Sequence, residues 1–281
     1  MGLPARPLWS RRIYHVDDGF FHRIDSEVKA YALGFLVGDG CVQRNNVAFI
    51  LAHRDRDILY KIRKVMLATQ PIRRKQRRSS FGGIADQVHF VVTSRQIVRD
   101  LLALGVTENK TKRVRLPIFP PSLAAHFFRG LVDADGYLSR YRIRGQSGHY
   151  WALGLVGNLH IVTAFREFCR TVQPRIRGNV RNHKTIYEFS VMGRQNVQAV
   201  SSALYDNAGI ALNRKRRLHS LLLADVAKAA ARRDVPYQWV CDCGDDGPIT
   251  TRWRASGGAS RHSSQQGHIA KLRNLEKEVA A

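Results

Sequence analysis

An apolar run closed by Asp-Gly occurs twice in this chain, and that repetition constrains the fold more than any other feature. The runs are Leu33-Gly-Phe-Leu-Val-Gly-Asp-Gly40 and Phe128-Arg-Gly-Leu-Val-Asp-Ala-Asp-Gly136, and their last acids, Asp39 and Asp135, stand 96 positions apart. Each reads as a buried helix. Gly34 and Gly38 in the first, and Gly130 and Ala134 in the second, lie four apart and therefore share one helix face. A stripe with almost no side chain lets two helices approach backbone to backbone. If the two helices pack on each other, Asp39 and Asp135 meet at the same end. Gly40 and Gly136 then fall where a helix takes a left-handed stop.

Two carboxylates at helix C-termini oppose the helix dipole and each other. A divalent cation removes the conflict, and Mg²⁺ prefers carboxylate, carbonyl and phosphate oxygens. The rest of the composition points the same way. Lys and Arg number 46 against 22 Asp and Glu, a net charge of +24 that attracts a polyanion. A membrane surface is the rival polyanion, but no apolar run reaches spanning length and no signal peptide follows Met1. Four cysteines, with Cys41 and Cys169 isolated, make no disulfide framework, which suits a reducing, intracellular setting.

The chain divides into an N-terminal arm (1–22), a first half (23–120), a second half (121–227) and a C-terminal extension (228–281). In the first half the pattern predicts a helix from Ser26, strands at 47–51 and 87–93 around a helix at 57–67, and a helix at 95–104 stopped by Gly105. The basic segment Lys110-Thr-Lys-Arg-Val-Arg-Leu-Pro117 follows. The second half replays that order: helix 127–135, strand 150–156, helix 161–172, strand 187–191, helix 195–205, then a basic segment at 208–217. Ser94-Arg95-Gln96-x-Val98 faces Gly193-Arg194-Gln195-x-Val197, so the register is shared. The expected fold class is α+β, two duplicated αββαββα halves forming an antiparallel saddle, with a small C-terminal module.

Both motifs, the lead-in Ser26–Tyr31, the Gly-Val…Lys-Thr segment ending each half and the proline before the second motif resemble the LAGLIDADG homing endonucleases in their single-chain, two-motif form. The likeness runs from about residue 22 to 218. It implies a saddle astride duplex DNA and metal-dependent hydrolysis of both strands at a long site. It implies Asp39 and Asp135 as catalytic metal ligands for Mg²⁺ or Mn²⁺, with the carbonyls of Gly38 and Ala134 completing the shell. It also implies a lysine near each acid. Lys110 fits the first half; in the second, Arg214 aligns by simple count and Lys215 with a one-residue shift, and Lys215 is the choice. The first motif departs at Gly38 and Val37, where the second has Ala134 and Asp133, but both terminal acids are present. An inactive descendant that regulates transcription or assists RNA splicing is the alternative. The ends, Met1 and Glu278-Val-Ala-Ala281, lack the residues that protein splicing requires. A freestanding or intron-encoded monomer in a bacterial or phage-type cytoplasm, near the nucleoid, is therefore expected.

Basic residues at period two suggest strands with one cationic face: Arg73, Lys75 and Arg77; Arg140, Arg142 and Arg144; Arg175, Arg177 and Arg181. Arginine either grips phosphate or forks onto guanine. Gln43, Asn45, Asn46, Ser139, Gln146 and His149 are candidate base readers. In the extension, Cys241-x-Cys243 with His262 and His268 forms a candidate Cys₂His₂ zinc set, with a hairpin expected at 249–254 and a helix from about Ser256. A polar tail with incidental cysteines is the alternative.

Overall fold

A computed structural model describes residues 13–78, 82–107, 114–145, 149–234 and 236–275. The chain forms two compact units, residues 1–220 and 221–281. In the first unit the order is α1 (Glu27–Asp39), β1 (Gly40–Gln43), β2 (Asn46–Ala52), α2 (Asp57–Val65), β3 (Ile72–Arg78), β4 (Ile84–Thr93) and α3 (Arg95–Ala103). The order then repeats as α4 (Ala124–Asp135), β5 (Gly136–Tyr141), β6 (Tyr150–Gly157), α5 (Leu159–Val172), β7 (Arg181–His183), β8 (Ile186–Met192) and α6 (Arg194–Tyr205). Helix α7 (Asn213–Asp234) follows. Each half carries one four-stranded antiparallel sheet, ordered β1-β2-β4-β3 and β5-β6-β8-β7. The mixed α/β, duplicated antiparallel architecture is the one the sequence predicts.

Local chemistry accounts for the element ends. The Ser94 hydroxyl accepts the Ile97 N–H at 3.2 Å and Asn158 Oδ1 accepts that of Ile161 at 3.0 Å, so both helices start on a side-chain cap. Gly105, at φ +82°, turns the chain after α3. Ser26 holds the N-cap position of α1 without a side-chain hydrogen bond. Residues 13–25 are not a loose arm: Val16, Phe20, Phe21 and Ile24 are buried, and the Asp17 N–H donates to the Met66 carbonyl at 3.0 Å.

The centre is the pair α1 and α4. Residues Ala30–Val37 are buried without interruption, which marks a helix enclosed on all sides. A Cβ on Gly34 would lie 2.0 Å from the Phe127 carbonyl oxygen, and one on Gly130 would lie 2.2 Å from that of Tyr31. A Cβ on Gly38 would lie 2.4 Å from Ala134 Cβ. The small-residue stripes are therefore in mutual contact along the pair. Gly40 and Gly136 have another reason to be glycine than the expected left-handed stop. Their φ values, −85° and −99°, are ordinary, but a Cβ at Gly40 would strike Leu36 and one at Gly136 would strike the Gly154 carbonyl and Val132. Each helix runs straight into its strand through a gap too tight for a side chain.

In the second unit, β9 (Pro236–Cys241) pairs with β10 (Thr250–Thr251) and with β11 (Ala270–Asn274), and α8 (Arg252–Gln266) joins the last two. The helix begins at Arg252, ahead of the expected Ser256, because the hairpin strand is only two residues long. Among the described residues, no helix is long and apolar enough to cross a membrane.

The seam gives a direct expectation for stability. Gly34→Ala must push two backbones apart and should cost about 3 kcal/mol or more in denaturant titration. Gly157→Ala, whose Cβ would meet its nearest neighbour at an ordinary 3.6 Å, should cost far less.

Candidate active site and nucleic-acid face

Asp39 and Asp135 are the last residues of α1 and α4. The close packing carries one acid to the other helix's end: Asp135 Oδ2 lies 3.2 Å from the point where a Cβ on Gly38 would sit. Asp39 is half-buried and Asp135 is exposed. Carboxylate oxygens beside the backbone of a second helix terminus form a hard-oxygen donor set, which fits Mg²⁺ or Mn²⁺.

Beneath them lies a polar knot that the sequence reading did not single out. Asp133 is fully buried and accepts three hydrogen bonds: from the Tyr31 hydroxyl at 2.8 Å, the Tyr205 hydroxyl at 2.8 Å and the Leu212 N–H at 2.7 Å. Burial pushes its carboxyl up, against the pull of the Lys215 charge and of the three donors. Burial also raises both tyrosines well above their ordinary value. Lys215, with no exposed surface, donates to the carbonyls of Val132, Asp133 and Gly136, the latter two at 3.0 and 2.8 Å. An ammonium thus closes the C-terminus of α4, where orphan carbonyls and the dipole both want a cation. Desolvation lowers Lys215 to about 8, while Asp133 and Asp39 favour its charged form. Arg214, the rival by simple count, points elsewhere and pairs with Asp55 at 2.9 Å. Lys110 and Gln146 lie outside the described residues.

A second buried cation sits one turn back on α4. Arg129, 1% exposed, donates to the carbonyls of Ile210 (2.8 Å) and Leu204 (2.9 Å) and to Glu27 Oε1 (2.6 Å). Glu27 also accepts the Gly209 N–H at 2.7 Å. The N-terminus of α1 is thereby tied to the loop after α6. The signal for both knots was present in the sequence as charged residues, Arg129 and Asp133, inside an otherwise apolar helix.

Strand register sorts the basic residues by face. In the first sheet Arg73 pairs with His89, Lys75 with Gln87, Ile50 with His89 and Asn46 with Thr93. Residues paired in register share a face, so Arg73, Lys75, Arg77, Gln43, Asn46 and His89 stand on the side opposite the core residues Phe49, Phe90 and Val92. Arg73, Lys75 and His89 line a concavity of about 460 Å³. Burial, and then Lys75 and Arg77, lower His89, and its buried Nε2 has no hydrogen-bond partner within the described protein.

The second sheet departs from expectation. Arg140 pairs with Trp151 and shares the core-side face with Leu138 and Leu153; its guanidinium lies 5.9 Å from the Trp151 ring. Strand β5 ends at Tyr141, so Arg142 and Arg144 belong to the turn beyond it. Arg142 donates to His149 Nε2 at 3.2 Å. Arg175 and Arg177 lie in an irregular segment before β7, because Pro174 and Gly178 (φ +116°) interrupt strand geometry. Only Arg181 of that series is on a strand, on the open face beside Glu188. Tyr137, Ser139, Tyr141 and Tyr150 share that face, which makes it aromatic and hydroxylic rather than cationic.

No family model matches the chain. A probable translation initiation factor IF-2 of Methanocaldococcus jannaschii is 23% identical over 177 residues, which is 60% of this chain but 14% of that factor. Solved structures are similar over most of their length. The LAGLIDADG homing endonuclease I-GzeII in complex with its DNA target aligns with a TM-score of 0.52 at 10% identity, covering 73% of this chain and 92% of that one. Meganuclease I-SmaMI bound to uncleaveable DNA gives 0.51 at 9% identity, with 75% and 92% covered. Homing endonuclease I-WcaI bound to its recognition sequence gives 0.50 at 13% identity, with 69% and 87% covered. The chain has the LAGLIDADG fold.

Two measurements test the knots. Asp133→Ala strands two tyrosine hydroxyls and an amide in the core and removes the acid nearest the buried Lys215 ammonium, and should lower stability by about 3–5 kcal/mol. Lys215→Met should cost about 1–3 kcal/mol at pH 7, since it takes the ammonium away from the carbonyls of Asp133 and Gly136 and leaves Val132 only the Gly136 N–H. The Lys215 folded-state value of about 8 is below the ordinary 10.5. The unfolded chain therefore holds the extra proton between those values, and wild-type stability should rise with pH there relative to the methionine variant, by at most about 1.4 kcal/mol per unit.

Proposed function

We propose that this chain is a site-specific endonuclease that hydrolyses both strands of duplex DNA with a divalent metal. One observation carries the proposal: the glycine seam of α1 and α4 brings the Asp135 carboxylate against the end of the helix that terminates in Asp39. A basic sheet face belongs to the same unit. The DNA-bound state of the fold's solved relatives supports duplex DNA as the partner.

Asp39 and Asp135, with the carbonyls of Gly38 and Ala134, would hold Mg²⁺ or Mn²⁺. When bound, such an ion neutralises charge on the scissile phosphate and favours the hydroxide form of its water. The chain's own residues do the rest. The carboxylates orient the site, and Lys215 holds the backbone on both sides of Asp135 by pinning the carbonyls of Val132, Asp133 and Gly136. Lys110 is assigned the corresponding electrostatic role in the first half. Arg73, Lys75 and Arg77 bind phosphate or guanine along one half-site, while the tyrosine-rich second face and Arg181 contact the other. Among the described residues no side chain stands out as a dedicated general base, which suits attack by solvent hydroxide. A single chain with both halves is complete as a monomer.

The alternative is a protein that binds DNA, or assists RNA splicing, without cutting. Selection of cut sites from a randomised duplex library in Mg²⁺ separates the two. Wild-type protein should yield one long enriched site, and both Asp39→Asn and Asp135→Asn should bind that site but fail to cut it. Retained cutting in either variant places the chemistry elsewhere; selective binding without any cutting makes the protein a binder. On the enriched duplex, replacing Arg73, Lys75 and Arg77 by Gln should weaken binding and reduce the steepness of its salt dependence by roughly one unit per lost phosphate contact.

A further inference from the structure

We infer that the second unit is built on a structural zinc ion held by Cys241, Cys243, His262 and His268. Their ligand atoms all lie within 4.8 Å of one another. Four residues drawn from a 28-residue span converge by three separate devices. The Cys-x-Cys pair sits on a tight turn after β9: the Gly244 N–H donates to the Cys241 carbonyl at 3.1 Å and the Cys241 N–H to that of Asp245 at 2.9 Å, with Gly244 at φ +96°. His262 comes from the last part of α8. His268 follows directly after Gly267, which ends α8 in the left-handed conformation at φ +70°, and just before Ala270 pairs with Cys241 in the sheet.

The donor set selects the ion. Two thiolates and two imidazoles suit zinc and not Mg²⁺ or Ca²⁺. Zinc–sulfur and zinc–nitrogen bonds in a tetrahedron place ligand atoms roughly 3.3–3.8 Å apart. Cys243 Sγ already lies 3.4 Å from His262 Nε2. The opposite ring nitrogen, Nδ1, faces the Asp245 carboxylate at 3.9 Å, the kind of outer partner that orients a ligating imidazole. Four protein ligands fill the tetrahedron and leave no position for water or substrate, so the role is structural.

Packing shows why an ion is needed. Among the described residues of 236–275, the buried hydrophobic side chains are Ala255 and Ala259. So small an apolar core does not offset the entropy of ordering such a lobe, and small domains in that position use metals or disulfides. The remaining contacts are arranged around the ligands. Trp239 lies 4.8 Å from the His262 ring, centroid to centroid, and occupies a slot floored by Gly247 and Gly258, where a Cβ would come within 1.9 and 2.4 Å of the indole nitrogen. The tryptophan backs a ligand rather than filling a core.

The test uses the full chain. Elemental analysis after purification should find one zinc per chain, and replacement by Co²⁺ should give thiolate-to-cobalt charge-transfer absorption with tetrahedral ligand-field bands. Cys243→Ser should lose the zinc and most of the charge-transfer intensity, whereas His160→Ala, at an exposed histidine of the first unit, should lose neither. Wild-type protein without zinc and without a cobalt spectrum would overturn the inference, as would a Cys243→Ser protein that keeps its zinc, or iron–sulfur absorption in place of zinc. If Cys243→Ser does not fold, the wild-type cobalt spectrum decides alone, because only thiolate ligation gives the charge-transfer bands. None of these outcomes bears on DNA cleavage.

Discussion

Everything in the main unit hangs on two backbones touching. At Gly34 and Gly130 no room exists even for a methyl group, and that intimacy fixes the relative position of the halves more tightly than interdigitated leucines would. Side chains hop between rotamers; peptide groups in contact do not. The polar knots then lock rotation about the seam. Asp133 gathers donors from α1, α6 and the loop before α7, and Arg129 gathers acceptors from the same regions. Because these groups are buried and mutually satisfied, slipping the helices by one residue would leave each of them unpaired, which is costly in a low-dielectric interior.

The architecture was legible in the sequence because it is written twice. Alternation and helical periodicity at one position of the repeat reinforce weaker signals at the other, and the Gly34/Gly38 and Gly130/Ala134 spacing announces close packing without any structural input. Element ends shifted by a few residues where chain direction is set by tertiary contact. The α8 start is an example, where a two-residue strand yields to the helix.

What was not legible has a common cause: period two identifies a strand but not which side of it faces the core. Arg140 alternates correctly with Tyr141, yet register against Trp151 gives it the parity of Leu138 and Leu153, and its exposed guanidinium lies over the indole ring. The arginines at 175 and 177 keep the spacing while Pro174 and Gly178 deny them the strand. Buried charge was the other blind spot. Composition makes any arginine a candidate for phosphate; the apolar helix around Arg129 hints at burial, and the Leu204 and Ile210 carbonyls and Glu27 show what it is spent on. Lys215, by contrast, is the lysine that the family resemblance implies for the second half, and its burial under the end of α4 is not readable from a run of basic residues.

The alternation of buried and outward residues in β2, and in β4 from Val88 onward, has an evolutionary consequence. Residues that hold the fold and residues that face outward occupy different parities of the same strands, so a change at Asn46, Arg73 or His89 touches no member of the aromatic core formed by Phe35, Phe49 and Phe90. Heritable variation on the outward parity can accumulate at nearly constant stability. Such a scaffold can follow a drifting partner surface one position at a time, without passing through an unfolded ancestor.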